Sequence, residues 1–387
     1  MSAVLVLNAG SSSLKLAVLG EDDRLLARGA VERIGLADAL MSLRDADGVA
    51  VVEERGEMPG HREAVSWGLA ALERWGAPRP AAAGHRVVHG GTEHAAPALV
   101  DGALLAELRG LVRLAPLHLP GEIAVIEAIA ERYPGLPQVA CFDTAFHRRM
   151  PEVAQRLPLP EDLWRDGVRR YGFHGLSYEH VLATVAGARR GRVVIAHLGN
   201  GASMAAVRDG APVDTTMGLT PAGGIMMGTR PGDLDPGVAV HLLRERGLDA
   251  DGLERLVTRE SGLLGVSGLS PDMRTLLEAR GSDTCADLAV SMFCYRARKE
   301  VGALAAALGG LDLLVFTGGI GERAAPVRAE ICAGLAHLGI RLDPARNARG
   351  EGVVSAPGSA VEVRVVRAAE ELVIARSVRD LLARPVA

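Results

Sequence analysis

Three short segments combine glycine with small hydroxyl or amide residues directly after an apolar run. They read NAGSSS at residues 8–13, GNGAS at 199–203 and GGIGE at 318–322. Glycine lets backbone N–H groups approach a phosphate closely, and serine adds hydroxyl donors. A single such segment is typical of an ordinary polar hairpin loop, but three in one chain predict a nucleotide-phosphate site. The chain contains neither a GxxxxGK[ST] loop nor a GxGxxG pattern in a dinucleotide-binding context.

Two arginines lie in comparable glycine-rich surroundings. Arg86 is part of GHRVVHGG and Arg230 is part of MGTRPGD. Phosphoryl transfer spreads negative charge over the equatorial oxygens of the transition state, and arginine forks can neutralise that charge. Each arginine taken alone is equally consistent with a surface ion pair.

The elements that position these residues form a repeat. Apolar runs and turn residues over 4–30 predict a strand, turn, strand meander, and the same pattern returns over 192–216. The segment APLHLPGE, residues 115–122, predicts a proline-bounded loop that carries His118, and QVACF predicts a buried strand that ends at Asp143. Apolar residues at helical spacing predict helices over 61–76, 101–114, 121–133, 284–308 and 370–383, the last one packing back on the first domain.

Length and composition limit the function classes. With 387 residues, two domains are expected. Hydrophobic residues are 48%, charged residues 23% and the net charge is −4, which indicates a soluble globular protein with no nucleic-acid or membrane partner. The N-terminus has no basic segment ahead of its apolar run, so we expect a cytoplasmic protein. The histidines around HRVVH lack the glutamate and third ligand of a zinc site, and the four widely spaced cysteines are expected to be reduced; these residues are His85, His89, His94, Cys141, Cys285, Cys294 and Cys332.

A family resemblance covers essentially the whole chain. The motifs VLVLNAGSSSLK, GHRVVHGG, APLH, CFDTAFH, RRYGFHG, IAHLGNGAS, DTTMGLTPAGGIMMGTRPGDLDP, FTGGIGER and EELVIAR occur in the order found in acetate kinases, which the chain resembles closely. The resemblance implies an α/β fold of the actin-like ATPase and sugar-kinase superfold, with two duplicated actin-like (ribonuclease H-like) domains and a central cleft. It places the first domain at 1–145 plus 373–387 and the second, nucleotide-binding domain at 146–372.

The same resemblance implies the activity and its residues. The expected reaction transfers a phosphoryl group between ATP and acetate with Mg²⁺, or Mn²⁺ in its place, in a homodimer. Asp143 is expected either to carry a proton or, as we favour, to orient an arginine and a magnesium-bound water. Glu371 is an alternative to Glu370 at the metal. The implied residues are Arg86, Asp143, His174 and Arg230 for catalysis; Arg86, Val88, Leu117, Phe173 and Pro221 for the acyl group; Asn8 and Glu370 for magnesium; and Ser11, Ser13, Lys15, His197, Leu198, Gly199, Asn200, Gly201, Asp272, Met273, Arg274, Gly319, Ile320, Gly321, Glu322 and Arg323 for ATP and ADP.

Four motifs depart from the family pattern. The usual HNPPN is HLPGE at 118–122, which changes the loop beside the acyl pocket, and HGTSH is HGLSY, with Tyr178 in place of a histidine. TRSGD is TRPGD, where Pro231 stiffens the backbone. GIGEN is GIGER, which places Arg323 near the expected base or ribose and opens the choice between ATP and GTP.

Other functions remain open from the residues alone. A propionate or butyrate kinase fits the same motifs, because one methylene in an apolar pocket discriminates by only about 1 to 3 kcal/mol. A sugar or polyol kinase would need an aspartate to deprotonate a hydroxyl and has no use for paired arginines. An actin-like or chaperone-like nucleotide switch would show a large partner surface and slow hydrolysis without a carboxylate acceptor.

Overall fold

Two β-sheets with a shared strand order organise the chain. The computed structural model describes residues 3–185 and 191–383, and its contacts divide the chain into two units. Unit 1 runs through Phe146 and resumes at Ala369, and unit 2 is His147–Ala368. The strands are β1 (Val4–Ala9), β2 (Ser13–Leu19), β3 (Leu25–Glu32), β4 (Ala39–Asp45), β5 (Ala50–Gly56), β6 (Ala82–Val87), β7 (Ala98–Leu99), β8 (Gln138–Phe142), β9 (Arg192–Leu198), β10 (Ala202–Arg208), β11 (Ala211–Thr215), β12 (Leu313–Thr317), β13 (Gly352–Val353) and β14 (Glu362–Val365).

Helices follow the strands in both units. Short 3₁₀ segments lie at Glu21–Asp23, Val112–Leu114, Ala145–Arg149 and Ala336–Leu338, and a π-helical turn lies at Leu256–Glu260. The α-helices are α1 (His61–Trp75), α2 (Gly102–Gly110), α3 (Leu119–Arg132), α4 (Glu152–Gln155), α5 (Glu161–Arg165), α6 (Gly175–Thr184), α7 (Pro236–Glu245), α8 (Ala250–Arg255), α9 (Gly262–Ser267), α10 (Met273–Ala279), α11 (Thr284–Leu308), α12 (Gly318–Arg323), α13 (Ala325–Ala333), α14 (Pro344–Arg349) and α15 (Glu370–Leu382).

The predicted repeat is confirmed by the two sheets. In unit 1 the order is β5-β4-β3-β2-β1-β6-β8-β7, and in unit 2 it is β11-β10-β9-β12-β14-β13. Each contains an antiparallel meander of three strands, next to which two further strands run parallel to the first strand of the meander. Ligands bind at the carboxyl ends of the parallel strands in open α/β sheets, and Asn8, Arg86, Asp143 and His197 lie at or directly after such ends.

Helix α15 belongs to unit 1. Its apolar face buries Ile374, Ala375 and Val378 and packs against β1, β6 and β8. Gly84 on β6 permits this contact, because a Cβ atom there would lie 2.5 Å from Cγ2 of Ile374. The whole helix therefore lies in the segment that starts at Ala369 and completes unit 1.

The loop predicted over 115–122 is shorter in the structure. Helix α3 begins at Leu119, because Pro120 fits the first turn of a helix, where its missing N–H is not needed. His118 is the residue that precedes the helix, and Glu122 is a buried residue of the first helical turn. None of the helices over the described ranges is long and apolar enough to cross a membrane.

Candidate active site

The first glycine turn joins β1 to β2 and places Asn8 and Lys15 opposite each other. The turn is tight, since the N–H of Gly10 donates to the carbonyl of Ser13 at 2.7 Å. Ser11 and Lys15 are exposed, and Ser13 is half-buried. These groups are therefore accessible to a phosphate, as a nucleotide-binding turn requires.

Arg86 lies in a partly buried network of charged and amide groups within unit 1. Arg86 lies near the carboxyl end of β6, the strand that pairs with β8. Its Nε and Nη2 both donate to Oδ2 of Asp143, at 3.0 and 2.6 Å. Its Nη1 donates to Oδ1 of Asn8 at 3.2 Å. Burial opposes the charge of Arg86, but the carboxylates of Asp143 and Glu370 outweigh it and raise the pKa of the guanidinium. Arg86 is thus a cation whose orientation is determined by two other predicted site residues.

The two glutamates proposed for magnesium have different surroundings. Oε2 of Glu370 accepts a hydrogen bond from the amide of Asn8 at 3.1 Å, next to Arg86. Glu371 instead contacts the exposed Arg28 at 3.0 Å. The structure therefore brings Glu370, and not Glu371, together with Asn8, Arg86 and Asp143.

The predicted acyl residues of unit 1 lie beside a buried carboxyl group. Val88 follows β6 and is 2% exposed, and its N–H donates to Oε2 of Glu122 at 3.0 Å. Leu117 is half-buried in the segment before α3. Burial raises the pKa of Glu122 to about 8, against the opposing effects of Arg86 and the Val88 N–H. Oε1 of Glu122 has no hydrogen-bond partner among the described residues.

The histidines near Arg86 have separate structural partners. Nε2 of His85 lies 2.7 Å from Oε1 of Gln138, and burial lowers the pKa of His85 to about 4. His89 accepts from the N–H of Gly91, and His94 pairs with Glu107. Within residues 3–185 and 191–383, no group of three or more His, Cys, Asp or Glu side chains could hold a metal ion.

In unit 2 the second and third glycine turns are packed together. The β9–β10 turn closes through a hydrogen bond from the Gly199 N–H to the carbonyl of Gly201 at 3.0 Å. Gly318 begins α12 with φ of +77°, and a Cβ there would lie 2.8 Å from the carbonyl of Leu198. Asn200 is held against Gly228, whose N–H donates to the Asn200 carbonyl at 3.0 Å.

Two histidines of unit 2 form a stacked pair with reciprocal serine contacts. The rings of His174 and His197 lie 4.3 Å apart at 20°. His174, which precedes α6 in a left-handed conformation with φ of +58°, contacts Oγ of Ser203 on β10 through Nδ1 at 2.8 Å. His197 on β9 contacts Oγ of Ser177 on α6 through its own Nδ1, also at 2.8 Å. The pair is thus held from both sides by the helix and the hairpin.

Arg230 faces the same point as His174. A Cβ atom on Gly201 would lie 2.7 Å from Nη2 of Arg230 and 3.5 Å from Nε2 of His174. Nη1 of Arg230 donates to the carbonyl of Pro221 at 2.7 Å, which ties this arginine to a predicted acyl-pocket residue. Phe173 is buried, and its carbonyl lies 3.0 Å from Nε2 of His147.

The residues predicted for the nucleoside have mixed positions. Asp272 caps α10 by accepting from the N–H of Thr275 at 3.0 Å, and Met273 is buried, so these two side chains have structural roles. Arg274 and Arg323 are exposed. The segment of Gly319, Ile320, Gly321, Glu322 and Arg323 forms α12, and a Cβ on Gly319 would lie 2.7 Å from Nη2 of Arg323.

Several side chains around the site were not predicted from sequence. Arg328 is fully buried, and its Nη1 donates to the carbonyls of Gly321 and Glu322, both at 2.8 Å, which supports α12. Ser203 is the last residue of the GNGAS segment, and the sequence predicts no separate role for it. The i, i+4 spacing of His174 and Tyr178 was the signal for a shared helix face, but nothing in the spacing identified Ser203 between them.

Comparisons with known proteins place the chain in one family. Residues 3–376 match the family model described as the acetokinase family. An acetate kinase of Rhodopseudomonas palustris is 47% identical over 388 residues, which cover 97% of each chain. The crystal structure of Porphyromonas gingivalis acetate kinase has a TM-score of 0.87 and 40% identity, covering 99% of this chain and 100% of that one. A propionate kinase structure from Francisella tularensis has a TM-score of 0.91 and 36% identity, covering 97% and 99%.

Proposed function

Because the chain belongs to the acetokinase family, we propose that it transfers the γ-phosphoryl group of ATP to acetate, reversibly and with magnesium, giving acetyl phosphate and ADP. The chain is an enzyme and a kinase for which ATP is a substrate. The observation that carries the proposed chemistry is the largely buried Arg86, which Asp143 and Asn8 orient and which lies two residues before the apolar Val88. A cation beside an apolar wall suits a small carboxylate with an alkyl group.

The reaction requires charge neutralisation more than proton transfer. A carboxylic acid with a pKa near 4 to 5 is already ionised at neutral pH, so the attacking oxygen needs no base. Asp143 therefore acts as the group that orients Arg86, to which it presents Oδ2. Arg86 binds the acyl carboxylate and reduces its repulsion from the phosphate, while Arg230 and His174 donate to the oxygens of the transferring group.

The donor set around Asn8 fits magnesium. Asn8 and Glu370 offer amide and carboxylate oxygens, which Mg²⁺ prefers, and Mg²⁺ retains several waters rather than requiring a full protein cage. We assign these two side chains to the metal, directly or through water. Bound magnesium, or manganese in its place, would neutralise charge on the phosphate oxygens.

ATP is proposed to lie along the glycine turns. Ser11, Ser13 and Lys15 of unit 1 and His197 to Gly201 of unit 2 are assigned to its phosphates. Gly319 to Arg323 are assigned to the nucleoside, with Arg323 as the side chain that decides between adenine and guanine nucleotides. Asp272 and Met273 would contribute through backbone groups, because their side chains are engaged elsewhere.

The acyl pocket favours small substrates. Val88, Leu117, Phe173 and Pro221 are assigned to the alkyl group, with acetate as the primary substrate and propionate or butyrate as the alternative. One extra methylene changes the transition-state free energy by only about 1 to 3 kcal/mol, so activity with propionate is expected as well.

We also propose a homodimer in the cytoplasm. Helix α7 has no buried residue, and its exposed Val240 and Leu243 are neighbours on one face at i, i+3 spacing, near exposed Leu234. Sedimentation equilibrium should give twice the chain mass, and Val240→Glu should shift the protein toward monomer. A wild-type monomer at micromolar concentration would refute the dimer.

The function is tested by trapping the product. Purified protein with Mg·ATP is incubated with acetate, propionate, butyrate, glucose or no acceptor, and acyl phosphate is converted to a hydroxamate with hydroxylamine. We expect hydroxamate with acetate, less with propionate, and negligible ADP release without a carboxylate. ADP formation with glucose alone would indicate a sugar kinase, and slow acceptor-independent hydrolysis would indicate a nucleotide switch.

A further inference from the structure

Tyr178 extends the contact between His174 and Ser203 into a chain of three polar groups. Its hydroxyl lies 2.5 Å from Oγ of Ser203, which in turn lies 2.8 Å from Nδ1 of His174. Tyr178 and Ser203 are both fully buried. Tyr178 lies on α6 one turn after His174, and its backbone N–H donates to the His174 carbonyl at 3.2 Å. One turn of helix therefore determines the spacing of the imidazole and the phenol.

We propose that Tyr178 and Ser203 are positioning residues that hold His174 as the neutral tautomer with its proton on Nε2. This inference rests on the proposed function, in which His174 donates to phosphoryl oxygens. The proposed order of donation is Tyr178 to Ser203 and Ser203 to Nδ1 of His174, which leaves Nε2–H as the outward donor.

The number of protons couples the directions of the two hydrogen bonds. Ser203 has a single hydroxyl proton, so if it donates to Nδ1 it must accept from Tyr178. A phenol is a more acidic donor than an alcohol, which favours Tyr178 as donor. Phosphoryl oxygens only accept hydrogen bonds, so a His174 with an unprotonated Nε2 could not serve them.

The surroundings of Nε2 make a neutral donor advantageous. Nη2 of Arg230 and Nε2 of His174 both face Gly201, so an imidazolium would add a second positive charge beside the guanidinium. Ring stacking on His197 fixes the plane of the imidazole. The left-handed φ of His174 is a conformation that a non-glycine residue adopts only when its contacts hold it there.

Kinetics of three variants test the role of the chain. Tyr178→Phe removes only the terminal hydroxyl, and we expect kcat to fall about tenfold while KM for ATP and acetate changes less than about twofold. Ser203→Ala should lower kcat by about 100-fold. Tyr178→His, the residue found in the resembling motif, keeps a ring donor and should recover part of the activity. Tyr171→Phe is the matched control, since it removes another buried tyrosine hydroxyl bond, to the Gly167 carbonyl, and should leave kcat unchanged.

Histidine ¹⁵N NMR and the pH profile provide readouts that a purely structural role would not change. In the wild type, Nδ1 of His174 should be unprotonated and Nε2 protonated, and Tyr178→Phe should shift the population away from this tautomer. The acidic limb of kcat should move to higher pH in Tyr178→Phe but not in Tyr171→Phe. Wild-type kcat in both Tyr178→Phe and Ser203→Ala, or a proton on Nδ1 in the wild type, would overturn the proposal. If Ser203→Ala fails to fold, Tyr178→Phe and the wild-type spectrum still decide.

The failure of this proposal differs from the failure of the proposed function. If the wild type forms no acyl hydroxamate, the function is wrong, whereas the tautomer measurement still reports on the hydrogen-bond chain. If the wild type is active and Tyr178→Phe is indistinguishable from it in kcat, pH profile and tautomer, the function stands and the inference is wrong.

Discussion

The two units share a sheet topology but hold their proposed site residues by different contacts. In unit 1, Arg86, Asp143 and Glu370 belong to one partly buried network of charged groups that includes Asn8. In unit 2, the neighbours of His174 and His197 are serine and tyrosine hydroxyls. The duplicated strands therefore provide equivalent positions, and the side chains at their ends decide whether a site residue is oriented by an ion pair, as Arg86 is, or by hydroxyl groups, as His174 is.

The strongest test of the Arg86 network in unit 1 is Arg86→Ala. We expect kcat/KM for acetate to fall by about 10³-fold or more, because the carboxylate and the phosphoryl group lose their shared cation. Asp143, which is fully buried, would also lose its charge partner, which destabilises a protein by about 3–5 kcal/mol. Acyl hydroxamate rates and denaturant titrations measure the two effects.

The matched control for Arg86→Ala is Arg28→Ala. Arg28 likewise pairs with a carboxylate of unit 1, that of Glu371, but is 59% exposed, so its loss should change stability by less than about 1 kcal/mol and leave activity intact. Arg86→Lys should restore stability more than activity, because lysine lacks the two-pronged geometry. Undiminished acetyl phosphate formation by folded Arg86→Ala would remove Arg86 from the mechanism.

The arrangement of Arg230 and His174 in unit 2 is tested by Gly201→Ala. The added methyl would lie 2.7 Å from Nη2 of Arg230 and 3.5 Å from Nε2 of His174, so the arginine must move. A displacement of about 1 Å can lower turnover by about 100-fold, and we expect a loss of that order in kcat. Gly302→Ala, within α11, has open space around the new methyl and should keep full activity with equal or higher stability. Equal kcat for both variants would contradict the shared position of Arg230 and His174.

Glu122→Gln tests whether the buried carboxyl group of Glu122 makes the stability of the folded chain depend on pH. Burial raises the pKa of Glu122 to about 8, so between pH 5 and 8 the unfolded chain has already lost a proton that the folded chain retains. The folded state is then progressively less favoured as pH rises, by up to about 1.4 kcal/mol per pH unit, and this dependence ends above the folded pKa. Glutamine keeps an acceptor for the Val88 N–H but cannot ionise. Urea titrations from pH 5 to 8.5 should show the variant gaining stability relative to the wild type as pH rises, and parallel curves would refute the assignment.

The sequence predicted the fold more completely than the side-chain partners. Period-two runs and glycine turns indicated the meanders β1–β3 and β9–β11, and apolar spacing located α11 at its observed bounds, because these signals are local. The predicted start of α3 at Gly121 is wrong by two residues, because a proline-bounded segment is typical of a loop whereas Pro120 lies in the first turn of the observed helix.

Local sequence patterns do not predict hydrogen bonds between residues that are distant in the sequence. The family resemblance implies roles for Asn8, Arg86, Asp143 and Glu370, but it does not give the hydrogen bonds between them. One of these bonds joins Asn8 to Glu370, which lie 362 residues apart in the sequence. Glu122 was noticed only as part of an altered loop. Its burial against Val88 depends on how α3 packs, and that is decided by tertiary structure.

The smallest expected effect concerns selectivity between acyl substrates. It tests whether a residue of unit 1 limits the length of the alkyl group that is accepted. Val88→Ala removes two methyl groups from a side chain that is 2% exposed next to Glu122. The kcat/KM ratio of propionate to acetate should rise about tenfold, within the range of one methylene. Val49→Ala, an exposed valine in the same unit, should leave the ratio unchanged. If the ratio is insensitive to Val88 while kcat for acetate is retained, selectivity for chain length must come from the other assigned acyl residues, Leu117 of unit 1 or Phe173 and Pro221 of unit 2, and the same measurement on those variants would separate the two units.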